Sequence, residues 1–385
     1  MRIVLAPDKF KGSLTAAQAC DAMRAGIARV DPKIEVDACP MADGGEGFVD
    51  ALVRATAGRF ITRRVTGPLP EMKVDATLGL LGDAGEAGPS GPGPTAVIEM
   101  SSASGLTLLR ADQYDSLATT TFGTGELIRI AIEELGVQRI LLGIGGSATN
   151  DAGIGCAQAC GLPVLLEGGE PVADTEPLCG RDVERVVLVK YGRGDRLGGV
   201  EIVVACDVTN PLFGPNGAAH VFGPQKGATP QVVEQLDAAL EQLATRTGKV
   251  QEANTPGAGA AGGLGFGLLA FFGARLERGT DIVIEATRLR ERLRGADLCI
   301  TGEGKIDAQS LAGKTIAGVA GACRDARVRC VAICGTKGDR ADRVRALGIS
   351  EVESIRSDGI DLDTALNNAA DLLSATTEKL VRRHA

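Results

Sequence analysis

Residues 2–38 read RIVLAPDKFKGSLTAAQACDAMRAGIARVDPKIEVDA, and this stretch decides the fold. Arg2 to Ala6 is a short apolar run stopped by Pro7, the pattern of a buried strand. Helical spacing follows from about Thr15 to Val30, with Ser13 or Thr15 available as a cap. A second strand is expected from Ile34 to Ala38. Strand, helix and strand in this order favour a parallel sheet with helices on its faces.

The same grammar returns at the far end of the chain. Strand-like runs lie at Asp297 to Thr301, Cys330 to Cys334 and Glu351 to Ile355, with helical patterns near Ala312 to Cys323 and Arg340 to Leu347. A last amphipathic helix is expected from Leu362 to Val381. The middle differs in texture. Its β-like runs, Val74 to Leu81, Ala96 to Met100, Ile140 to Ile144 and Ile202 to Ala205, alternate with glycine-rich loops and helical stretches. The segment Gly82 to Pro94, rich in Gly, Pro and Ala, reads as an exposed loop without chemistry.

A chain of 385 residues exceeds what one core usually organises, so two domains are expected. Its formal charge of −8 comes from 41 basic and 49 acidic residues, with no basic tract, which argues against nucleic acid or an anionic membrane as partner. No stretch approaches the roughly 18 uncharged apolar residues of a membrane helix, and the N-terminal run is too short for a signal-peptide core. A cytoplasmic location is therefore expected. The ten cysteines form no CxxC pair and read as reduced, mostly buried thiols. Only His220 and His384 are present, so a His-based triad or zinc site is hard to assemble and acid–base chemistry should rest on carboxylates or lysines.

Four loops join glycine to ionisable or hydroxyl residues: Asp43-Gly-Gly-Glu-Gly47, Gly143-Ile-Gly-Gly-Ser-Ala-Thr-Asn-Asp-Ala-Gly153, Pro256-Gly-Ala-Gly-Ala-Ala-Gly-Gly263 and Thr301-Gly-Glu-Gly-Lys-Ile-Asp307. Glycine lets a backbone approach a phosphate and turn successive N–H groups toward one anion. Carboxylates beside such loops repel phosphate unless a cation intervenes, and magnesium takes one or two carboxylates with phosphate oxygens. Gly313-Lys314-Thr315 ends like a P-loop, but Ala308 stands where its first glycine belongs. No GxGxxG fingerprint opens the first βα unit. Composition and spacing thus reach an α/β enzyme that handles a phosphorylated ligand.

Nine ordered blocks carry the reading further. Ala6-Pro-Asp-Lys-Phe-Lys-Gly-Ser-Leu14, Ala42-Asp-Gly-Gly-Glu-Gly47, Ile98-Glu-Met-Ser-Ser-Ala-Ser-Gly-Leu106 and Gly123-Thr-Gly-Glu-Leu127 come first. Gly143 to Asp151, Ala205-Cys-Asp-Val-Thr-Asn-Pro211, Phe222-Gly-Pro-Gln-Lys-Gly-Ala228, Pro256 to Gly263 and Thr301 to Asp307 follow. Together they resemble the bacterial glycerate kinases of type I across most of the chain. The departures are a longer Gly82 to Pro94 loop and Phe122 before Gly123. The resemblance implies a Rossmann-like or flavodoxin-like domain from both chain ends, residues 1–66 and 286–385, with a second α/β domain, 67–285, inserted between them and a cleft at their junction. It also implies ATP and Mg²⁺ as cofactors and D-glycerate as substrate, with the 2-hydroxyl favoured over the 3-hydroxyl.

Roles follow from what phosphoryl transfer requires. Asp207, at the end of the Ile202 to Ala205 strand and beside Asn210, is the expected proton acceptor or a magnesium ligand. Asp8, Lys9 and Lys11 follow the first strand, where open sheets bind ligands; Lys9 or Lys11 is expected at the glycerate carboxylate or the transferred phosphoryl, with Lys9 counted as catalytic. Glu303 and Asp307 join Asp207 as candidate metal contacts. Asp8, Lys11, Ser101, Ser102, Asn150, Asp151 and Asn210 are candidate substrate contacts. Gly145, Gly146, Ser147, Lys226, Gly257, Gly259, Gly262 and Gly263 are candidate phosphate-binding residues, and His220 reads as structural. Two rivals share these features: a kinase for another hydroxy acid, such as tartronate or a longer sugar acid, and a non-enzymatic two-domain metabolite sensor. Oligomeric state is left open.

Overall fold

In the computed structural model, thirteen strands follow one another in chain order among the described residues. They are β1 (Arg2–Pro7), β2 (Glu35–Ala38), β3 (Arg59–Thr66), β4 (Lys73–Leu80), β5 (Thr95–Glu99), β6 (Arg139–Gly143), β7 (Val164–Leu166), β8 (Val186–Val189), β9 (Glu201–Ala205), β10 (Arg275–Glu277), β11 (Leu298–Ile306), β12 (Arg329–Lys337) and β13 (Ile349–Ser354). The structure describes residues 1–82, 93–168, 172, 176–189, 199–307, 315–339, 341–356 and 360–384. Most of the Gly82 to Pro94 loop, and Gly313 and Lys314 of the P-loop-like triplet, lie outside these residues.

The apolar β1 is flanked by β11 on one side and β2 on the other, in a parallel sheet of order β13-β12-β11-β1-β2. Alternation sorts its side chains. Ile3, Leu5, Ile300 and Val331 face one core with the helices Ala16–Ala28 and Ala369–His384. Val4, Ala6, Cys299 and Ala332 face the other. The helix Ala16–Ala28 begins where Thr15 accepts the Gln18 N–H and Gln18 returns a bond to the Thr15 N–H, a capping box. The expected last helix is interrupted at Asn368, into Leu362–Asn367 and Ala369–His384. The segment expected as a helix from Arg340 to Leu347 is a 3₁₀ turn, Ala341–Leu347.

The chain middle builds a six-stranded sheet, β10-β9-β6-β5-β4-β3, parallel through β5, β6, β9 and β10 and antiparallel through β3, β4 and β5. β3, which ends at Thr66, pairs with β4 in this sheet. A separate hairpin pairs β7 with β8. Val97, Leu141 and Val203 join Val4 and Ala6 in one core, together with residues of the helices Phe48–Ala55, Gly279–Ala286 and Thr315–Ala326. Those helices therefore form a layer shared by both sheets. Ile98, Leu142 and Val204, one residue along, point into the opposite core. Each fully buried Leu, Ile or Val contributes about 1.5–3 kcal/mol, so this shared layer holds the two sheets firmly against each other. Among the described residues, no helix is long and apolar enough to cross a membrane.

Candidate active site

The carboxyl ends of strands from both sheets open toward one cleft. At the end of β1, the Asp8 N–H donates to the Gly302 carbonyl of β11 at 2.8 Å, which fixes the residue just past the strand. Its buried carboxylate accepts from the Lys9 N–H at 2.6 Å and from the Thr315 hydroxyl at 2.5 Å. Burial raises the Asp8 pKa to about 6, with Asp43 adding repulsion and Lys9 opposing it. Lys9 Nζ donates to the Glu46 carbonyl at 2.6 Å and lies 3.8 Å from Asp43 Oδ1.

Asp43 reaches this point because the turn after β2 is glycine-built. Gly44 has φ +87°, and a Cβ there would stand 2.5 Å from the Ala205 Cβ at the end of β9. The loop from one sheet is thereby laid on a strand end of the other. Two residues beyond β9, Asp207 accepts the Gly279 N–H at 3.1 Å. Asp207 is exposed and lines a cavity. Desolvation raises its pKa to about 6; the Gly279 N–H opposes this and Asp43 adds to it. Asp43 thus stands electrostatically between Asp8 and Asp207.

The loop after β6 supplies the opposite wall. Buried Lys226 donates to Ser147 Oγ at 2.8 Å and to the Thr149 carbonyl at 2.7 Å. Burial lowers its pKa to about 7, with Asp151 opposing. A cavity of about 490 Å³ is lined by Asp43, Asp207, Gly145, Gly146, Ser147 and Lys226, among others. A smaller one of about 230 Å³ is lined by Asp8, Lys9, Phe10, Lys11, Leu14 and Met41, among others. The Lys9–Asp43 pair, one member in each wall, lies where the two meet.

The remaining expected residues fall in other places. Ser102 donates to the Glu99 carbonyl at 2.8 Å, and Ser101 Oγ lies 3.4 Å from the Glu99 carboxylate. Asp151 is buried and accepts from the Thr121 N–H, the Thr121 hydroxyl and the Gly153 N–H, a set of bonds that ties its loop to the start of the helix Phe122–Glu133. Asn150 is fully buried, and neither its amide nitrogen nor its oxygen has a hydrogen-bond partner. Asn210 donates to the Asn216 carbonyl. Gly257, Gly259, Gly262 and Gly263 pack the 256–263 loop inward; at Gly262, φ is +67° and a Cβ would lie 1.8 Å from the Thr149 carbonyl. Their neighbours Ala260 and Ala261 line the larger cavity instead. Glu303 follows Gly302 on β11, and Asp307 lies 3.2 Å from Lys305. His220 is 3.8 Å from Asp237, outside both cavity walls.

Three further residues shape the site. Asp43, Glu99 and Thr315 were not among the sequence-derived site residues, although Asp43 opens a quoted glycine loop. Glu99 accepts the Val49 N–H at 2.8 Å, and burial raises its pKa while Lys9 opposes. Glu99 and Thr315 lie in quoted stretches, but the partners that place them at the site, Val49 and Asp8, lie far away in the sequence.

Converging strand ends, glycine-loop amides, a buried lysine and opposed carboxylates define an α/β enzyme of the phosphotransferase class. The sequence profile described as the glycerate kinase family matches residues 3–385. A glycerate kinase of Bacillus subtilis (strain 168) is 43% identical over 383 residues, covering 99% of this chain and 97% of that protein. A glycerate 2-kinase of Escherichia coli (strain K12) is 42% identical over 378 residues, covering 96% of this chain and 94% of its own length. A crystal structure from Salmonella typhimurium LT2, of a candidate glycerate kinase 2, superposes with a TM-score of 0.84 at 42% identity, covering 100% of this chain and 98% of that one. The chain belongs to the glycerate kinase family.

Proposed function

We propose that this chain phosphorylates D-glycerate in the cytoplasm, using ATP and Mg²⁺, at the 2-hydroxyl in preference to the 3-hydroxyl. The observation that carries the proposal is the meeting of Asp8, Asp43 and Asp207 with Lys9 at the junction of two cavities. The larger cavity takes the nucleotide phosphates, against the amides of Gly145 and Gly146, the Ser147 hydroxyl and Lys226. The smaller takes glycerate, with Lys11 facing its carboxylate. Lys9 lies between them and offsets charge on the phosphoryl group in transit. Asp207 accepts the hydroxyl proton. A carboxyl held near pKa 6 is ionised at neutral pH yet basic enough for that step.

The acids suit magnesium rather than a closed protein cage. Among the described residues, no three carboxylates gather within 4.8 Å, whereas magnesium needs only one or two and completes its shell with phosphate and water. Asp8 and Asp43 would hold it, and the repulsion between them is what a cation relieves. Bound there, magnesium would neutralise charge on the phosphate oxygens.

The test is a coupled ADP-release assay with D-glycerate, ATP and Mg²⁺, the product identified by NMR. Formation of 2-phosphoglycerate is expected; 3-phosphoglycerate would keep the kinase and overturn the position. Turnover of tartronate or a longer sugar acid in place of glycerate would reassign the substrate. Silence across all of them from folded protein would favour a metabolite sensor.

A further inference from the structure

Away from the cleft, at the starting ends of β11 and β12, three cysteines from three elements converge. Cys299 is the second residue of β11 and lies in register with Cys330, the second residue of β12. Cys323 comes from the helix Thr315–Ala326, and all three share one apolar core with Val319, Ala322 and Leu293. They are free thiols, each at most 2% exposed. Their sulfurs all lie within 4.8 Å of one another. Cys323 also accepts the Val328 N–H on its carbonyl, across a short turn in which Arg327 has φ +58°.

We infer that Cys299, Cys323 and Cys330 form a binding site for a soft monovalent cation of the copper(I) class. Sulfur ligands select soft metals. A metal–sulfur distance of about 2.3 Å places three sulfurs in a plane about 4 Å apart, a triangle that fits inside the observed limit. Zinc in a closed site takes four ligands, and among the described residues no fourth His, Cys, Asp or Glu joins the group. Charge points the same way, because an apolar core disfavours a net charge. A monovalent ion that displaces one S–H proton is held by one thiolate and two thiols, and the site stays neutral. A dication would have to expel two protons and would still lack a ligand. The strained turn at Arg327 lies beside Cys323, so local opening there gives the ion its way in.

The test loads full-length reduced protein anaerobically with copper(I) from its bicinchoninate complex and follows loss of the chelator's colour. About one equivalent should be withdrawn, and copper K-edge absorption should report three sulfur neighbours at about 2.3 Å. Cys323→Ser should abolish withdrawal while Cys156→Ser leaves it intact, with circular dichroism showing that both variants remain folded. No withdrawal by the wild type overturns the inference. So does an equivalent that survives Cys323→Ser, or a copper centre with nitrogen or oxygen neighbours. The absorption measurement is made on the wild type, so the inference stays testable even if a variant misfolds.

Discussion

Replacing Lys226 by methionine should abolish a pH dependence that the wild type carries in its folding stability. The amine is buried and its pKa falls from 10.5 to about 7, chiefly through desolvation. Unfolded, it stays protonated to about pH 10.5, so between these values the unfolded chain binds more protons than the folded one. Stability therefore rises as pH climbs from about 7 toward 10.5, and its lysine contribution is lowest below pH 7, where a charged amine sits buried. At about 1.4 kcal/mol per pH unit, the span corresponds to on the order of 5 kcal/mol as an upper bound. The bonds to Ser147 and Thr149, worth about 1.5–3 kcal/mol each to a charged donor, reduce it. Urea unfolding followed by circular dichroism, at pH 6.5, 8 and 9.5, gives the difference between the proteins at each pH, which cancels other titrating groups. The wild type should gain several kcal/mol on Lys226→Met across that range. Parallel behaviour at all three values would refute the reasoning and show the amine to be solvated or fully paired as a cation.

Asp207→Asn should lower kcat by about 10²–10⁴-fold with KM for ATP little changed, as expected for loss of a proton acceptor; steady-state assays at saturating magnesium check it. Asp43→Asn should raise the magnesium concentration for half-maximal activity by about tenfold or more. The same variant should lower the Asp8 pKa, read by carbon-13 NMR, since one of the charges raising it is gone. Gly262→Ala should destabilise by at least about 1–3 kcal/mol from left-handed strain, and by more because its methyl would meet the Thr149 carbonyl at 1.8 Å. A melting scan unchanged within about 1 °C would refute that close approach.

Patterns that are periodic and local were legible. β1 and the helix after it could be read because apolar spacing and the Thr15 cap lie within a few residues of each other. β3 was harder to see, since an edge strand carrying Arg59, Arg63 and Arg64 has little apolar signal. Asn368 interrupts the last helix although amphipathic spacing runs through it. At the site, chemistry-bearing residue types could be picked out, but Asp151 looks like a ligand contact in sequence and is spent on Thr121 and Gly153 in space.

By itself, then, the chain determined its α/β class and the glycine-rich loops at its strand ends, which follow from backbone periodicity and from glycine's freedom acting over a few residues. That its two ends join in one sheet was implied by its resemblance to a known family, and the strand order bears it out. Only the tertiary structure decided that Asp43 stands between Asp8 and Asp207, that Lys226 is buried behind Ser147 and that three cysteines share one pocket. Proximity across hundreds of residues is set by the helix layer packed between two sheets, and the electrostatics of a carboxylate or an amine depend on that burial rather than on its neighbours in the chain.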